Sequence, residues 1–335
     1  MSDPALRVAL DLDGSLESLG NSMDDLADAL VATGGCDLVR FRSTRPPTDG
    51  EAHLAGRWLF QAAWRRGRGR AIDALLAPVD LVHVAGVAIP PTRRVPLVVS
   101  VDDLRPLREE SRTHQRVAQL RRALSRGATL VASSRTASHE VLDVLDVERH
   151  QVVVVPPAVP TVAPTIDGQD LVVNVTGAVE RLLDVSDSLV ELGRRSGARV
   201  VVVASDEAGA VVRARASAMH VRARRDARSA LAGARAVLHL SDGARFPSFA
   251  IAALAAGVPT VARSTAINRE LLGGAAVLVE RNEDVVGALE EIMTRESHRA
   301  VLVAAGRDRA VDFAPATAAR AYLDLYRGVV QGWSA

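Results

Sequence analysis

The sequence predicts an α/β protein with two doubly wound domains facing a cleft, each a parallel sheet covered by helices. Three observations carry that expectation. Short apolar runs rich in β-branched residues alternate with amphipathic helical stretches along the 335 residues, the order that lays parallel strands side by side between helices. The alternation pauses at the Pro-rich "PTVAPTIDGQD" (160–170) and then restarts, as it would at a junction between two cores. The chain is also too long for one ordinary core, so two domains of about 150 residues are the natural expectation.

In the first half, "LRVALDL" reads as a buried strand, because a parallel strand is covered on both faces and stays apolar throughout. "SMDDLADALVATG" has helical spacing and a glycine stop. "DLVRFRS" is the next strand. "RWLFQAAWRRGRGRAIDALLA" reads as mostly helical, interrupted at Gly67 and Gly69. "VDLVHVAG", "VPLVVSVDD" and "ATLVASS" are strands, joined with the helices "SRTHQRVAQLRRALSRG" and "RTASHEVLDVLDV", and "HQVVVVPPAVP" closes the half. After the junction come the strand "LVVNVTG", the helix "LLDVSDSLVELGRRSG" and the strand "ARVVVVASD". The helical "AGAVVRARASAMHV" and "RDARSALAGA" follow, then "RAVLHLSDG", the charge-free helix "SFAIAALAAG" and the strand "VPTVARS". Three helices end the chain: "NEDVVGALEEIMTRE", "HRAVLVAAGRDRAVDF" and "TAARAYLDLYRGVVQ".

Composition narrows the function. Apolar residues make up 48% and charged residues 24%, a soluble balance, and the apolar runs are far shorter than a membrane span. "MSDPALRVALDLDG" has neither a basic region nor a signal-like apolar core, and the single Cys36 excludes an internal disulfide or a cysteine metal site; both favour the cytoplasm. All 41 basic residues are arginine, so Schiff-base, P-loop or catalytic lysine chemistry is excluded. A net charge of +1 argues against a nucleic-acid binder. No Asp or His cluster has metal spacing, so neither metal nor cofactor is expected. The segment with Trp58, Phe60, Trp64, Arg57, Arg65, Arg66, Arg68 and Arg70 is of the kind that lies on an anionic membrane. The simpler reading is core packing with a solvated end, because Trp58 and Trp64 do not share a helix face.

The ordered pieces resemble the GT-B glycosyltransferases, in particular the family 4 group that uses nucleotide-sugar donors. The resemblance runs through "LRVALDL…SLGNSMDDLADAL", "VDLVHVAG", "VPLVVSVDDLRPL", "ATLVASSRTASHEVLDVLDVERHQVVVVPPAV", "LVVNVTGAVERLLDVSDSLVEL", "LSDGARFPSFAIAALAAGVPTVA" and "NRELLGGAAVLV". It implies two Rossmann-like domains, at 1–163 on the acceptor side and 164–315 on the nucleotide-sugar side, with the helix of 316–335 crossing back to the first.

The resemblance also implies a site, and this chain departs from it. The family's E-x7-E glutamates, for donor sugar and ribose, fall on Ala244 and Ala252, while Gly257 and Pro259 keep the frame. A glutamate restored at 252 is therefore expected to tighten nucleotide binding. The family histidine falls on Asp102, beside a matching Asp103, which can equally cap the next helix. Arg181 stands in for the family's Arg and Lys at the donor phosphates, Arg245 adjoins the empty Ala244 slot, and Glu270 matches a later donor-side glutamate. Ser18, Leu19 and Gly20 replace the G-x-G loop, leaving Gly20 as its phosphate-approach glycine, and Ala158 stands where the family has glycine. His83 and His239 read as satisfied strand histidines.

The first functional expectation is a divergent, metal-independent glycosyltransferase acting from a nucleotide sugar on an acceptor the sequence leaves open. The second is an inactive GT-B scaffold serving as a binding or partner subunit of an active glycosyltransferase. A nucleotide-sugar epimerase is a weaker third. A peripheral membrane contact is compatible with each.

Overall fold

The computed structural model describes residues 5–333 except 14–15, 18–19, 45, 55–56, 86–87, 102, 109, 164–167 and 178. Its first half runs β1 (Leu6–Asp11), β2 (Leu16–Glu17), β3 (Gly20–Asn21), α1 (Ser22–Thr33), β4 (Cys36–Phe41), α2 (Arg57–Arg65), β5 (Leu81–Val84), β6 (Leu97–Val101), α3 (Arg105–Arg108), α4 (Glu110–Leu124), β7 (Thr129–Ala132), α5 (Arg135–Leu145) and β8 (Val152–Val154). The second runs β9 (Asp170–Thr176), α6 (Val179–Ser196), β10 (Val200–Ala204), α7 (Asp206–Arg215), β11 (His220–Ala223), α8 (Ala227–Ala232), β12 (Ala234–Ser241), α9 (Ser248–Ala255), β13 (Thr260–Arg263), α10 (Ala266–Leu272), β14 (Val277–Val279), α11 (Asp284–Thr294), α12 (Glu296–Ala310) and α13 (Pro315–Gly332).

The chain divides into two compact units: one holds most of residues 1–158 together with 315–335, the other holds 159–314. The division comes before the Pro-rich stretch, not within it. Val159 and Val162 are already buried in the second unit's apolar core, and the Val159 amide donates to the Phe313 carbonyl at 3.0 Å. Their burial draws the chain into the second unit five residues ahead of the sequence-based boundary.

Each unit carries a six-stranded parallel sheet. The first has the order β4-β1-β5-β6-β7-β8 and the second β11-β10-β9-β12-β13-β14. The order reverses direction between β1 and β5, and between β9 and β12. In sheets of this kind ligands sit at such switch points, beyond the carboxyl ends of the strands.

Alternation along β1 divides the first unit's core. Ala9 faces the layer containing Trp64 of α2 and Leu120 of α4, whereas Val8 and Leu10 face the layer of α1 and α13, as a two-residue period requires. Thus α13 belongs to the first unit: Ala318, Ala319, Tyr322, Leu323 and Tyr326 are buried there. It comes so close to the start of β4 that a Cβ on Gly35 would lie 2.6 Å from Leu323 Cδ1. His83 on β5 fixes its placement, with Nδ1 2.7 Å from the Tyr326 hydroxyl and Nε2 2.8 Å from Ser100 Oγ on β6. A neutral imidazole satisfies both neighbours, donating from one nitrogen and accepting at the other, and burial holds its pKa down at about 3. Tyr322 stacks on the same ring at 5.3 Å.

The second unit explains the helix that lacks charge. In α9, residues 249–254 are all buried, and a helix buried all round is apolar all round. Its alanines admit a close neighbour: Gly306 of α12 packs so near that a Cβ there would lie 3.1 Å from Leu254 Cδ2. Local geometry also corrects the sequence reading. The helix α2 stops at Arg65 because Gly67 and Gly69 have φ of 69° and 105°, a region open to glycine and closed to a continuing helix. The short strands β11 and β14 and the helix α10 add edge elements that the apolar pattern did not mark.

Removing the Tyr326 hydroxyl leaves a buried imidazole nitrogen unsatisfied. Tyr326→Phe is expected to lower unfolding free energy by about 1–3 kcal/mol, measured by urea denaturation; an unchanged midpoint would show that the bond to His83 carries no stability.

Candidate functional site

In the second unit the switch point lies between β9 and β12, where Thr176 pairs with Ser241. Both strands turn sharply there. Gly177 has φ 68°, and a Cβ at this position would collide with the Asp242 carboxylate. Only glycine meets both demands. Asp242 Oδ1 accepts the Ala244 amide at 2.9 Å and Ser241 Oγ accepts the Gly243 amide at 3.0 Å, so the loop after β12 is folded on its own side chains.

Two arginines meet at this edge. Arg181 is half-buried in the first turn of α6. Arg263, unmarked by the sequence reading, ends β13, with its Nε and Nη1 buried and without hydrogen-bond partners among the described residues. Burial and the Arg181 charge lower its pKa, against Glu280 and Glu283, which raise it. A buried guanidinium with open N–H groups beside a second cation has the chemistry of an anion site. The start of α6 adds backbone amides and the positive end of a helix dipole. Its sequence signal was position: an arginine at the carboxyl end of a parallel strand, in "TVARS".

The other sequence candidates fall as follows. Arg245, in the loop after β12, is buried at 8% exposure. Glu270 is half-buried on α10, which begins just after β13; its carbonyl accepts Arg309 Nη2 at 3.1 Å. Arg181, Arg245, Arg263 and Glu270 thus share one unit. Gly20 lies in β3, paired with β2. Ser18, Leu19 and Asp102 lie outside the described residues. Asp103 receives the Arg105 amide at 3.0 Å and pairs with its guanidinium at 2.7 Å, at the head of α3. Ala158 is buried in the first unit's core. Among the described residues no group of three or more His, Cys, Asp or Glu is arranged to hold a metal ion, and no helix is long and apolar enough to cross a membrane.

The alanines in the glutamate slots are buried, Ala244 at 1% and Ala252 at 0% exposure. Ala252 sits within the apolar cluster that includes Phe249 and Leu254. In this packing a carboxylate at 252 would be buried among apolar groups, which is costly. The expectation of tighter nucleotide binding is therefore replaced by one of disrupted packing.

The first unit has a cluster at its own switch point that the sequence reading passed over. Asp11 ends β1, fully buried. It accepts Ser43 Oγ–H at 2.6 Å and the amides of Asp13 and Ser43 at 3.0 and 3.3 Å. Asp13 accepts the Thr44 amide. Alongside, Arg42 bridges the Leu12 carbonyl, Glu51 and Asp24 at 3.0–3.1 Å. Burial, with the Asp13 charge adding to it against the hydrogen bonds, pushes the Asp11 pKa up to about 7. The covered carboxyl orders the ends of β1 and β4.

No protein-family model matches the sequence, and no curated protein matches it by sequence. Solved structures do match by shape. WaaG, a glycosyltransferase involved in lipopolysaccharide biosynthesis, is 16% identical with a TM-score of 0.70, over 96% of this chain and 100% of that one. Sucrose-phosphate synthase from Thermosynechococcus elongatus is 15% identical with a TM-score of 0.67, over 98% and 100%. AviGT4, a glycosyltransferase involved in avilamycin A biosynthesis, is 16% identical with a TM-score of 0.60, over 98% and 99%. The fold is that of the GT-B glycosyltransferases, with two Rossmann-like sheets.

Two outcomes check these assignments. Ala252→Glu is expected to lower the melting temperature by several degrees without raising nucleoside diphosphate affinity, read by thermal shift and calorimetry; tighter binding with unchanged stability would show that position 252 opens to ligand. For Asp11, the raised folded pKa means that the folded state holds a proton the unfolded state has released between pH 3.8 and about 7. Stability is then lost as pH rises through that window. Asp11→Asn removes the loss, so its gain over the parent protein should grow from small at pH 4 to on the order of a few kcal/mol at pH 8; a gain independent of pH would contradict the shifted carboxyl.

Proposed function

We propose that the protein is a glycosyltransferase that takes a sugar from a nucleoside diphosphate without a metal ion. The observation that carries the reading is the Arg181–Arg263 pair: a buried guanidinium with open N–H groups at the carboxyl edge of a Rossmann-like sheet. When the bond between the anomeric carbon and the diphosphate breaks, negative charge grows on the departing phosphate oxygen. Fixed cations and helix amides already aimed there stabilise it with little reorganisation. The bond to the acceptor oxygen forms on the sugar carbon, and the acceptor gives up its proton.

In this proposal Arg181, Arg263 and the head of α6 hold the diphosphate. Arg245 adds to it from the loop after β12, and Glu270 faces the sugar end. Gly20 and Asp102 are assigned to the opposite side of the donor, as the family resemblance implies. With alanine at 244 and 252, the sugar and ribose forgo the charge-assisted hydrogen bonds of two carboxylates, each about 1.5–3 kcal/mol, so donor affinity is expected to be modest and turnover slow. The glycosyltransferase neighbours support the class of reaction, although a fold by itself hosts many chemistries. The cytoplasm suits a nucleotide-sugar substrate.

The test combines binding and stability. A buried cation without a partner costs stability until its ligand arrives. Arg263→Met should therefore raise the melting temperature of the unliganded protein and weaken nucleoside diphosphate binding by about 10- to 100-fold. Calorimetry with and without EDTA should give the same affinity. Loss of binding in EDTA would contradict metal independence, and an unaffected affinity in the variant would move the phosphate site elsewhere. Tight donor binding with no sugar transferred or released would favour the scaffold reading.

A further inference from the structure

The first unit carries a concentration of positive charge that the donor chemistry does not use. Residues 65–78, 90–96 and 121–128 contain nine arginines against one aspartate, Asp73. The chain as a whole is only +1, so the remainder is net acidic and the charge is segregated. The three segments meet in space. Arg122 Nη2 donates to the Arg65 carbonyl and Arg126 Nη2 to the Gly67 carbonyl, each at 3.2 Å. The Ile72 amide donates to the Pro91 carbonyl at 2.9 Å, and Asp73 accepts the amides of Arg93 and Arg94 at 2.9–3.3 Å. Among the described residues no carboxylate pairs with any of the nine guanidinium groups. Arg65, Arg66, Arg68, Arg70, Arg93, Arg94 and Arg126 are exposed.

Their position separates them from the switch point. The segment after α2 leads into β5, and the end of α4 leads into β7. The patch therefore lies at the amino ends of the parallel strands, the pole opposite Asp11 and the ligand-bearing edge. An apolar side chain adjoins it: Leu59 of α2 is 55% exposed and lies on one helical stripe with Ala62 and Arg66.

We propose that this face docks on an anionic phospholipid surface, with the arginines against the headgroups and Leu59 entering the interface. Clusters of four or more basic residues bind acidic leaflets through summed charge, and an exposed leucine beside them adds an apolar anchor. A single-stranded nucleic acid would ask for exposed aromatic faces. Here Trp64 is fully buried, its Nε1–H donating to the Arg70 carbonyl at 3.0 Å, and Phe60 stacks on it. The patch acts independently of any sugar donor.

The experiment is co-sedimentation of the full chain with vesicles of phosphatidylcholine alone or with phosphatidylglycerol added. Binding is expected only with the anionic lipid and should fall as salt is raised. The triple variant Arg65→Gln, Arg68→Gln, Arg126→Gln should lose at least about tenfold in partitioning, while Arg213→Gln, Arg222→Gln, Arg299→Gln, with the same charge change in the other unit, retains it. Leu59→Ser should weaken binding several-fold at constant charge. Circular dichroism melts confirm that each variant is folded. Equal loss in both triple variants, equal binding to neutral vesicles, or no binding would overturn the proposal; tighter binding to a single-stranded RNA than to the anionic vesicles would replace it with nucleic-acid recognition.

Discussion

A parallel sheet must be covered on both faces, and most of this architecture follows from that requirement. The backbone crossover that joins parallel strands is itself the cover, so strands become continuous apolar runs and helices carry one apolar stripe. The second unit meets the requirement locally, with α6, α7 and α11 on one face and α8, α9 and α12 on the other. The first unit does not. One face of its sheet is shared between α1 and α13, a helix from the far end of the sequence. The bonds of His83 to Tyr326 and Ser100 turn that borrowed cover into a defined placement: a buried imidazole has two polar neighbours, and a slip of α13 would strand one of them.

The same requirement concentrates polar chemistry at the strand ends. Inside the layers nearly every side chain is apolar, so charge appears where the strands stop. Asp11, Arg42 and Glu51 gather near the ends of β1 and β4, and Arg181 and Arg263 at the edge of the second sheet. The two groups differ in kind. Around Asp11 the polar atoms answer one another through Ser43, Thr44 and neighbouring amides, which is how a turn is built. At Arg263 two guanidinium N–H groups are left open among the described residues, and an unanswered buried cation is how a site for an anion is recognised.

Much of the fold was legible because apolar periodicity is a physical demand of burial. β1, β5, β6, β7, β9, β10 and β12 are the β-branched runs of the sequence. The short edge strands β11 and β14 were not legible, since "HVRA" and "VLV" are too brief or too polar to display a period. The end of α2 was blurred because Gly67 and Gly69 act through positive φ, a property of conformation and not of hydrophobicity. The site was legible in outline. Arg181, Arg245 and Glu270 lie on elements of one unit, but Arg263 looked like any arginine until the burial of its head group set it apart. Ala252 looked like a vacancy awaiting a carboxylate, and packing shows a residue whose smallness fits the apolar core around α9.

The borrowed helix also orders events in time. Residues of α13 are the last of the described elements to be synthesised, after the whole of the second unit. Until they emerge, Val8, Leu10 and Leu81 lack part of their cover and His83 lacks a partner. The second unit, whose elements are contiguous in the chain apart from its few outlying residues, can settle first. The nascent first unit would meanwhile present an unfinished apolar face to the chaperones that attend translation, and its completion would coincide with release of the polypeptide from the ribosome.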